Sequence, residues 1–440
     1  MNSGEQYTYQ GTAYVCKVPL SGTPYAVPAN TMLACGITEG RLQQIHTLLD
    51  TAVDYEGPEH LMDSASAPGN YPQIIYDIQE LTANVLKAGE NCKDTYILDK
   101  LATLYALPFN HMQTDPEGNS VWVDTTDPSG HENTLYSTQF MYAVAKLVNV
   151  IAHIDQSAWT TSMYNFMYTP RAHLKAHLER WLFKPSFAAC NGYDKTYTLP
   201  QITQKKYERS LGPPGYCNAI AEGENWPAAA AAEFLSATGW VGLSADSEAK
   251  LRQSVRDAAR LFESRLSTRD ACPNNGCRGL LLDEGGWSGH PEYPSQYWPS
   301  GTASWDFSHM RRIVQWVDAY YLHPDISGAS YSSYEGVVAL LANELAFQVF
   351  NRDYANPAFA NFWNGWNYPY RTSGPWELSS SYYRAGYGFW GYYRSDVQAI
   401  NDALLRLVDN KIGSWYMNPN GAPPGGAYDL LGFYSSLTHP

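Results

Sequence analysis

Apolar residues recur every three or four positions along most of the chain beyond residue 70, and that period predicts helices. Ile74, Ile78, Leu81 and Val85 form one stripe, and Val144, Leu147, Val148 and Ile151 a second. Leu251, Val255, Ala258, Phe262 and Leu266 give a third, and Val397, Ile400, Leu404, Leu407 and Val408 a fourth. Helical runs over 172–182, 226–237, 304–321 and 334–350 raise the number to eight or more, with few alternating runs that read as strands. Between them lie loops rich in Gly, Pro, Trp and Tyr, notably 283–304 and 356–393. Long loops of this kind in a compact domain usually carry function. The expected fold is mainly α, an incomplete (α/α) toroid or barrel with its aromatic-rich loops at one end. No repeat of 20–50 residues is visible, which disfavours a regular solenoid. Residues 1–70, rich in Gly, Pro, Ser and Thr, read as an irregular N-terminal wrap with a short helical run near Leu42–Val53, and 71–440 as a single domain.

The run SWDFSHMRRIVQWVDAYY, residues 304–321, carries two unlike faces if it is one continuous helix. At 100° per residue Trp305, His309, Arg312 and Trp316 share one side, while Met310, Ile313, Val314, Val317 and Tyr321 share the other. An imidazole and a guanidinium between two indoles suit a sugar-binding cleft: flat faces for pyranose rings, a proton carrier and a fixed cation. The alternative is that the indoles pack against a neighbouring helix.

Composition narrows the class. Hydrophobic residues make up 44 % and charged residues 16 %, so a large core is expected. The chain holds 34 Tyr, 14 Trp and 14 Phe, a supply of flat rings with polar tips that suits a polar ligand. A net charge of −14 argues against nucleic acid or an anionic membrane as partner, and weighs mildly against a polyanion. No stretch approaches 18 uninterrupted apolar residues, which excludes a membrane-spanning helix on sequence. Seven cysteines point to an oxidising compartment, with Cys272 and Cys277 bridging a tight turn. Cys16 with Cys35 and Cys190 with Cys217 are the further pairs expected, leaving Cys92 odd. The N-terminus MNSGEQYTYQ has no basic and apolar leader, so it reads as a mature start with an added Met1 in a secreted or periplasmic protein.

Three constellations carry candidate chemistry. In EGENWP, residues 222–227, Asn225 stands near the start of a helix, where its amide caps the helix or donates to a substrate carboxylate, and Glu224 is a candidate acid or base. The loop 282–298 gathers Asp283, Glu284, Trp287, His290, Tyr293, Tyr297 and Trp298 among glycines, enough for proton transfer by Tyr or His or for hydrolysis by a carboxyl pair. His173 and His177 stand at i, i+4, but the Glu of a zinc hydrolase motif is replaced by Leu174. No metal or cofactor is assigned, and neither a GxSxG elbow nor a phosphate-cradling glycine motif occurs.

The order Asn225-Trp226, then His290, Tyr293 and Tyr297, then His309 and Arg312 resembles the layout of the α/α-toroid polysaccharide lyases, including the alginate-lyase-like and hyaluronate-lyase-like groups. The resemblance covers 222–321, and Trp226 stands where the alginate-lyase pattern continues Asn-Asn-His. It implies β-elimination beside a uronic acid. Asn225 and Arg312 would neutralise the carboxylate, Tyr297 or His309 would serve as base and acid, and His290 would support them. Trp226, Trp287, Tyr293, Trp305 and Trp316 would hold the sugar. Two other readings stay open: an inverting glycoside hydrolase on the same toroid, drawing its acid and base from Glu224, Asp283, Glu284 and Asp306, and a non-catalytic glycan-binding protein. The expected partner is a polysaccharide or oligosaccharide, bound by a monomer.

Overall fold

A computed structural model of the chain describes residues 6–9, 12–15, 31–55, 71–124, 130–188, 197–273, 276–293, 303–370, 374–410 and 427–440. The described residues are mainly helical. In chain order the helices are α1 (Glu39–Tyr55), α2 (Tyr71–Cys92), α3 (Thr95–Ala106), α4 (Thr134–Ala152), α5 (Thr161–Phe183), α6 (Leu199–Tyr207), α7 (Glu222–Ser236) and α8 (Ala245–Glu263). They continue as α9 (Phe307–Met310), α10 (Ile313–Tyr321), α11 (Pro324–Ser327), α12 (Tyr334–Glu344), α13 (Ser381–Ala385), α14 (Ser395–Asn410) and α15 (Ala427–Ser436). The strands form three separate antiparallel pairs: β1 (Gln6–Tyr9) with β2 (Thr12–Val15), β3 (Gln113–Thr114) with β4 (Ser120–Val121), and β5 (Leu266–Asp270) with β6 (Arg278–Leu282).

The helices lie in two layers. An inner row runs α2, α4, α7, α10, each packed on the next, while α3, α5 and α8 cover it from outside. Every residue of α4 from Ser137 to Ile151 is buried, which is why its apolar period is less clean than that of a surface helix. Its closest neighbour is α7, whose Ala228, Ala229, Ala230, Ala231 and Ala232 present only methyl groups and let the two axes approach. The polar residues of the inner row gather at its two ends. Lys146 bonds Glu90 at 2.8 Å and lies 3.5 Å from Glu233, and Lys87 pairs with Asp318, joining α2, α4, α7 and α10 at one end. The N-terminal ends of α4, α7 and α10 share the other end, where a cleft opens.

Within the expected N-terminal wrap stand the β1–β2 pair and α1, whose Ile45, Leu48 and Leu49 join the main core against α15. The stripe ending at Leu266 stops at Glu263, and Leu266 begins β5 instead. The run expected over 334–350 is α-helical only to Glu344, with a wider helical turn over Leu345–Val349.

The cysteines pair differently from the spacing argument. Cys272 is bonded to Cys277, as expected, but Cys35 is bonded to Cys92 with Cα atoms 4.9 Å apart, so Cys92 is not the odd thiol and Cys35 is not available to Cys16. Cys92 ends α2, and the bond fastens the segment before α1 to the inner row. Cys217 is disulfide-bonded, and Cys16 and Cys190 lie outside the described residues. Closing 57 residues of chain restricts the unfolded state strongly. The double variant Cys35→Ser, Cys92→Ser is expected to lose about 4 kcal/mol of unfolding free energy in non-reducing urea titration.

Candidate functional site

The cleft has a volume of about 660 Å³. Its walls come from Tyr76 on α2, the start of α4, residues 186–188, Ile202 and Lys206 on α6, Tyr216, the first turn of α7, the loop 287–293, Trp305, His309 and Arg312.

Behind one wall sits Asp306, fully buried and acting as N-cap of α9. Its Oδ1 accepts the backbone N–H groups of Ser308 (3.1 Å) and His309 (3.0 Å) and the Ser308 hydroxyl (2.5 Å). Its Oδ2 accepts from the Tyr293 hydroxyl (2.9 Å) and from His309 Nδ1 (2.6 Å). Burial alone would raise the carboxyl, but His309, Ser308 and the helix-start amides together hold it well below the ordinary aspartate range. This cap explains why the helical run begins at Phe307 and not at Ser304. Trp305 precedes the cap, α9 is a single turn, and the chain restarts at Ile313 after Arg311 and Arg312.

The same bond fixes the tautomer of His309. With Nδ1 donating to Asp306, the neutral ring carries its lone pair on Nε2, which no described residue engages; the side chain is 30 % exposed and lines the cleft. Burial disfavours the imidazolium, yet the charge and hydrogen bond of Asp306, with a smaller contribution from Glu222, outweigh it and raise the pKa above the ordinary 6.5. Tyr370 stands 3.5 Å from Nδ1 and bonds Glu292 at 3.2 Å.

Arg312 is 4 % exposed and committed to its neighbours. It donates to Glu222, to Glu80 Oε1 at 3.0 Å and to the Tyr76 hydroxyl at 2.6 Å. Burial alone would raise Glu80, but Arg311 and Arg312 more than offset it and hold the carboxyl at about 2. Glu224 receives both Lys206 hydrogen bonds, at 2.9 and 3.0 Å, and accepts from Ala221 N–H, so it caps α7. Glu132 is held by Arg180 through two bonds of 2.8 Å. His290 Nδ1 accepts from Glu292 N–H at 3.2 Å, and its ring lies edge-on to Tyr216 and Trp287. Trp287 in turn meets Trp305 and Tyr293 at right angles, which gives the cleft a rigid aromatic side.

Of the residues expected at a site, His290, His309, Arg312, Trp287, Tyr293, Trp305 and Glu224 line the cleft. Others do not. Asn225 is fully buried inside α7, which begins at Glu222; its amide donates to Ala221 C=O at 2.7 Å and accepts from Tyr320. Trp226 and Trp316 are both fully buried, in edge contact 5.6 Å apart, with Phe262 on the far side of Trp316. They are core, and cannot be sugar platforms. Asp283 is buried and braces Ile220 N–H at 2.6 Å, and exposed Glu284 lies outside the cleft wall. Tyr297 and Trp298 lie outside the described residues. His173 and His177 stack on Phe109 and Trp122 respectively. Sequence reasoning missed Tyr76, Glu80, Lys206 and Tyr216, which approach only through tertiary packing; Glu222 stood in the EGEN run but was passed over for Glu224.

Compared with known proteins, the chain matches no family model, no curated protein and no solved structure.

Two outcomes check this geometry. Trp316→Ala is expected to cost about 3–5 kcal/mol in a denaturation titration, as for a large core truncation, while ligand affinity per folded molecule stays unchanged. Asp306→Asn removes the main cause of the raised His309 pKa, so the imidazole should titrate at lower pH when followed by NMR; an unmoved titration would remove Asp306 as the cause. The pair's contribution to stability is present below the ordinary imidazole pKa and is lost as pH rises through the raised value.

Proposed function

We propose that the protein is a carbohydrate-active enzyme that cleaves an acidic polysaccharide by β-elimination beside a uronic acid, with His309 as general base. The observation that carries this reading is the Asp306–His309 pair: a buried carboxylate orients the ring through Nδ1 and turns Nε2, which no described residue engages, toward an aromatic-lined cleft. In the reaction Nε2 takes the C5 proton, the C–H electrons form the C4=C5 double bond, and the C4–O bond breaks. The departing oxygen then takes a proton from the imidazolium or from the cleft hydroxyl of Tyr216. Tyr293 cannot act as base, because burial and the charge of Asp306 push its pKa far up, so its role is to donate to Asp306.

Carboxylate neutralisation is assigned differently from the sequence-based expectation. Asn225 is out of reach, and the charge of Arg312 is already balanced by Glu80 and Glu222. The N-terminal ends of α4, α7 and α10 open on the cleft, and their partial positive charge favours an anion there despite the net charge of −14. An inner helical row covered by an outer one is the arrangement of an (α/α) toroid, which we adopt as the finer description of the fold. The disulfides Cys35–Cys92 and Cys272–Cys277 support a secreted or periplasmic location. No helix among the described residues is long and apolar enough to cross a membrane.

The test is a panel of alginate, hyaluronan, polygalacturonate and glucuronoxylan, read for ultraviolet absorbance of unsaturated products and for reducing ends. His309→Ala should lower turnover about 10²–10⁴-fold with intact helicity. The base works only when Nε2 is deprotonated, so turnover should rise with pH through the raised His309 pKa. Reducing ends without ultraviolet absorbance, abolished by Glu292→Gln and not by His309→Ala, would replace this reading with a hydrolase.

A further inference from the structure

Asp306 Oδ2 serves two donors at once, and they compete. His309 Nδ1 donates to it at 2.6 Å and the Tyr293 hydroxyl at 2.9 Å. Of the five hydrogen bonds to this carboxylate, four come from Ser308 and His309, within three residues of Asp306 itself, and the fifth comes from Tyr293 on another segment. The helix cap is complete without it. Tyr293 is nevertheless held firmly in place: its backbone N–H donates to His290 C=O at 2.9 Å, and its buried ring packs against Trp287, Phe362 and Tyr370 at centroid separations of 5.9, 5.8 and 6.0 Å. The same loop carries Trp287, His290 and Glu292 into the cleft wall.

A hydrogen bond donated to a carboxylate stabilises and disperses its charge, so less of that charge is left to favour a cation beside it. When His309 Nε2 takes a proton the ring becomes that cation, and Oδ2 is the oxygen it faces. The Tyr293 bond therefore opposes protonation of the imidazole, against the pull of Asp306. The other charged and titratable groups around the ring act by different routes. Arg312 opposes the imidazolium through its charge and Glu222 favours it, while the Tyr370 hydroxyl, 3.5 Å from Nδ1, is bonded to Glu292. Arg312 is itself paired with Glu222 and Glu80. Among the described residues Tyr293 is the one group outside α9 that hydrogen-bonds the Asp306 side chain.

We propose that Tyr293 is a positioning residue of the site: by sharing Asp306 Oδ2 with His309 it lowers the proton affinity that Asp306 confers on the imidazole, and so sets the pH above which Nε2 is a free base. Asp306 alone would orient the ring but keep it protonated to higher pH. Tyr293 widens the range of the free base without disturbing the orientation, because both bonds to Oδ2 are made together. The proposal deepens the reading of His309 as general base and takes its catalytic meaning from that reading. Its effect on the ring exists without any substrate.

The test follows the His309 imidazole by NMR through a pH titration of the full chain, its signal assigned by its loss in His309→Ala. Tyr293→Phe keeps the ring packed on Phe362 and Tyr370 and removes only the hydroxyl, with circular dichroism as the check on folding. It should raise the His309 midpoint by about half a unit, roughly a threefold gain in proton affinity. Added to Asp306→Asn, the same substitution should leave the midpoint unmoved, because its effect passes through the carboxylate. A merely structural role for Tyr293 would not show that dependence. An unmoved or lowered midpoint in Tyr293→Phe, or a shift of equal size in the Asp306→Asn background, would overturn the proposal. On a polymer that the protein cleaves, the midpoint of the pH profile of turnover should rise with the NMR midpoint, so that turnover below it falls about threefold. An NMR shift with no matching change in that profile, or with no polymer cleaved, would sink His309 as the base and leave the action of Tyr293 on the ring standing.

Discussion

One guanidinium holds three elements of the inner row together at the floor of the cleft. From the N-cap of α10, Arg312 reaches Glu222 at the start of α7 and Glu80 and Tyr76 on α2. Taking these ions out of water costs several kcal/mol each, which their mutual attraction offsets. The far end repeats the device with Lys146 between Glu90 and Glu233, and Lys87 with Asp318. Between the two ends the contacts are mostly apolar and without direction, joined by a few hydrogen bonds such as Gln139 to Gln79 and Tyr320 to Asn225. The ion pairs therefore supply the positional constraint that methyl groups against methyl groups do not, and the cleft inherits its shape from them.

That economy of charge limits what the cleft can do. A hydrolase needs two carboxyl groups whose protons are free to move. Glu80, Glu222 and Glu224 each serve a cation, Glu132 receives one Arg180 nitrogen on both oxygens, and Asp306 is saturated by five donors, which leaves Glu292, bonded by the Tyr370 hydroxyl, as the carboxylate that the hydrolase test addresses. The imidazole of His309 is different because its structural bond uses one nitrogen and leaves the other. Its partner Asp306 raises its basicity while restricting its rotation, the two properties a positioned base requires.

The helices were legible because burial imposes a period: Val144, Leu147, Val148 and Ile151 are all fully buried, as are Leu251, Val255, Ala258 and Phe262. The 304–321 segment was legible only in part. A helical wheel assumes an unbroken helix, and Asp306 resets the start while Arg311 and Arg312 interrupt the run, so Trp305 and Trp316 came together for a reason other than the one assumed, as two edge-packed indoles 5.7 Å apart. His309 and Arg312 still reached the cleft, because both lie close to the break. Tyr76 and Glu80 were invisible, more than 220 residues from Arg312, since nothing in a single sequence pairs residues that distant.

The aromatic content misled for a physical reason and informed for another. Trp122, Trp181, Trp226, Trp316, Trp363 and Trp390 are all fully buried, so tryptophan here mostly builds the core. Several hold that position with an indole N–H that has no partner among the described residues, including Trp181, Trp226, Trp316 and Trp390. Tyrosine divides differently. Buried tyrosines such as Tyr293, Tyr320 and Tyr382 each find an acceptor, Tyr387 finds none among the described residues, and Tyr164 and Tyr168 remain half in water. Abundance of rings is thus first a statement about packing, and a count of rings does not separate core from surface.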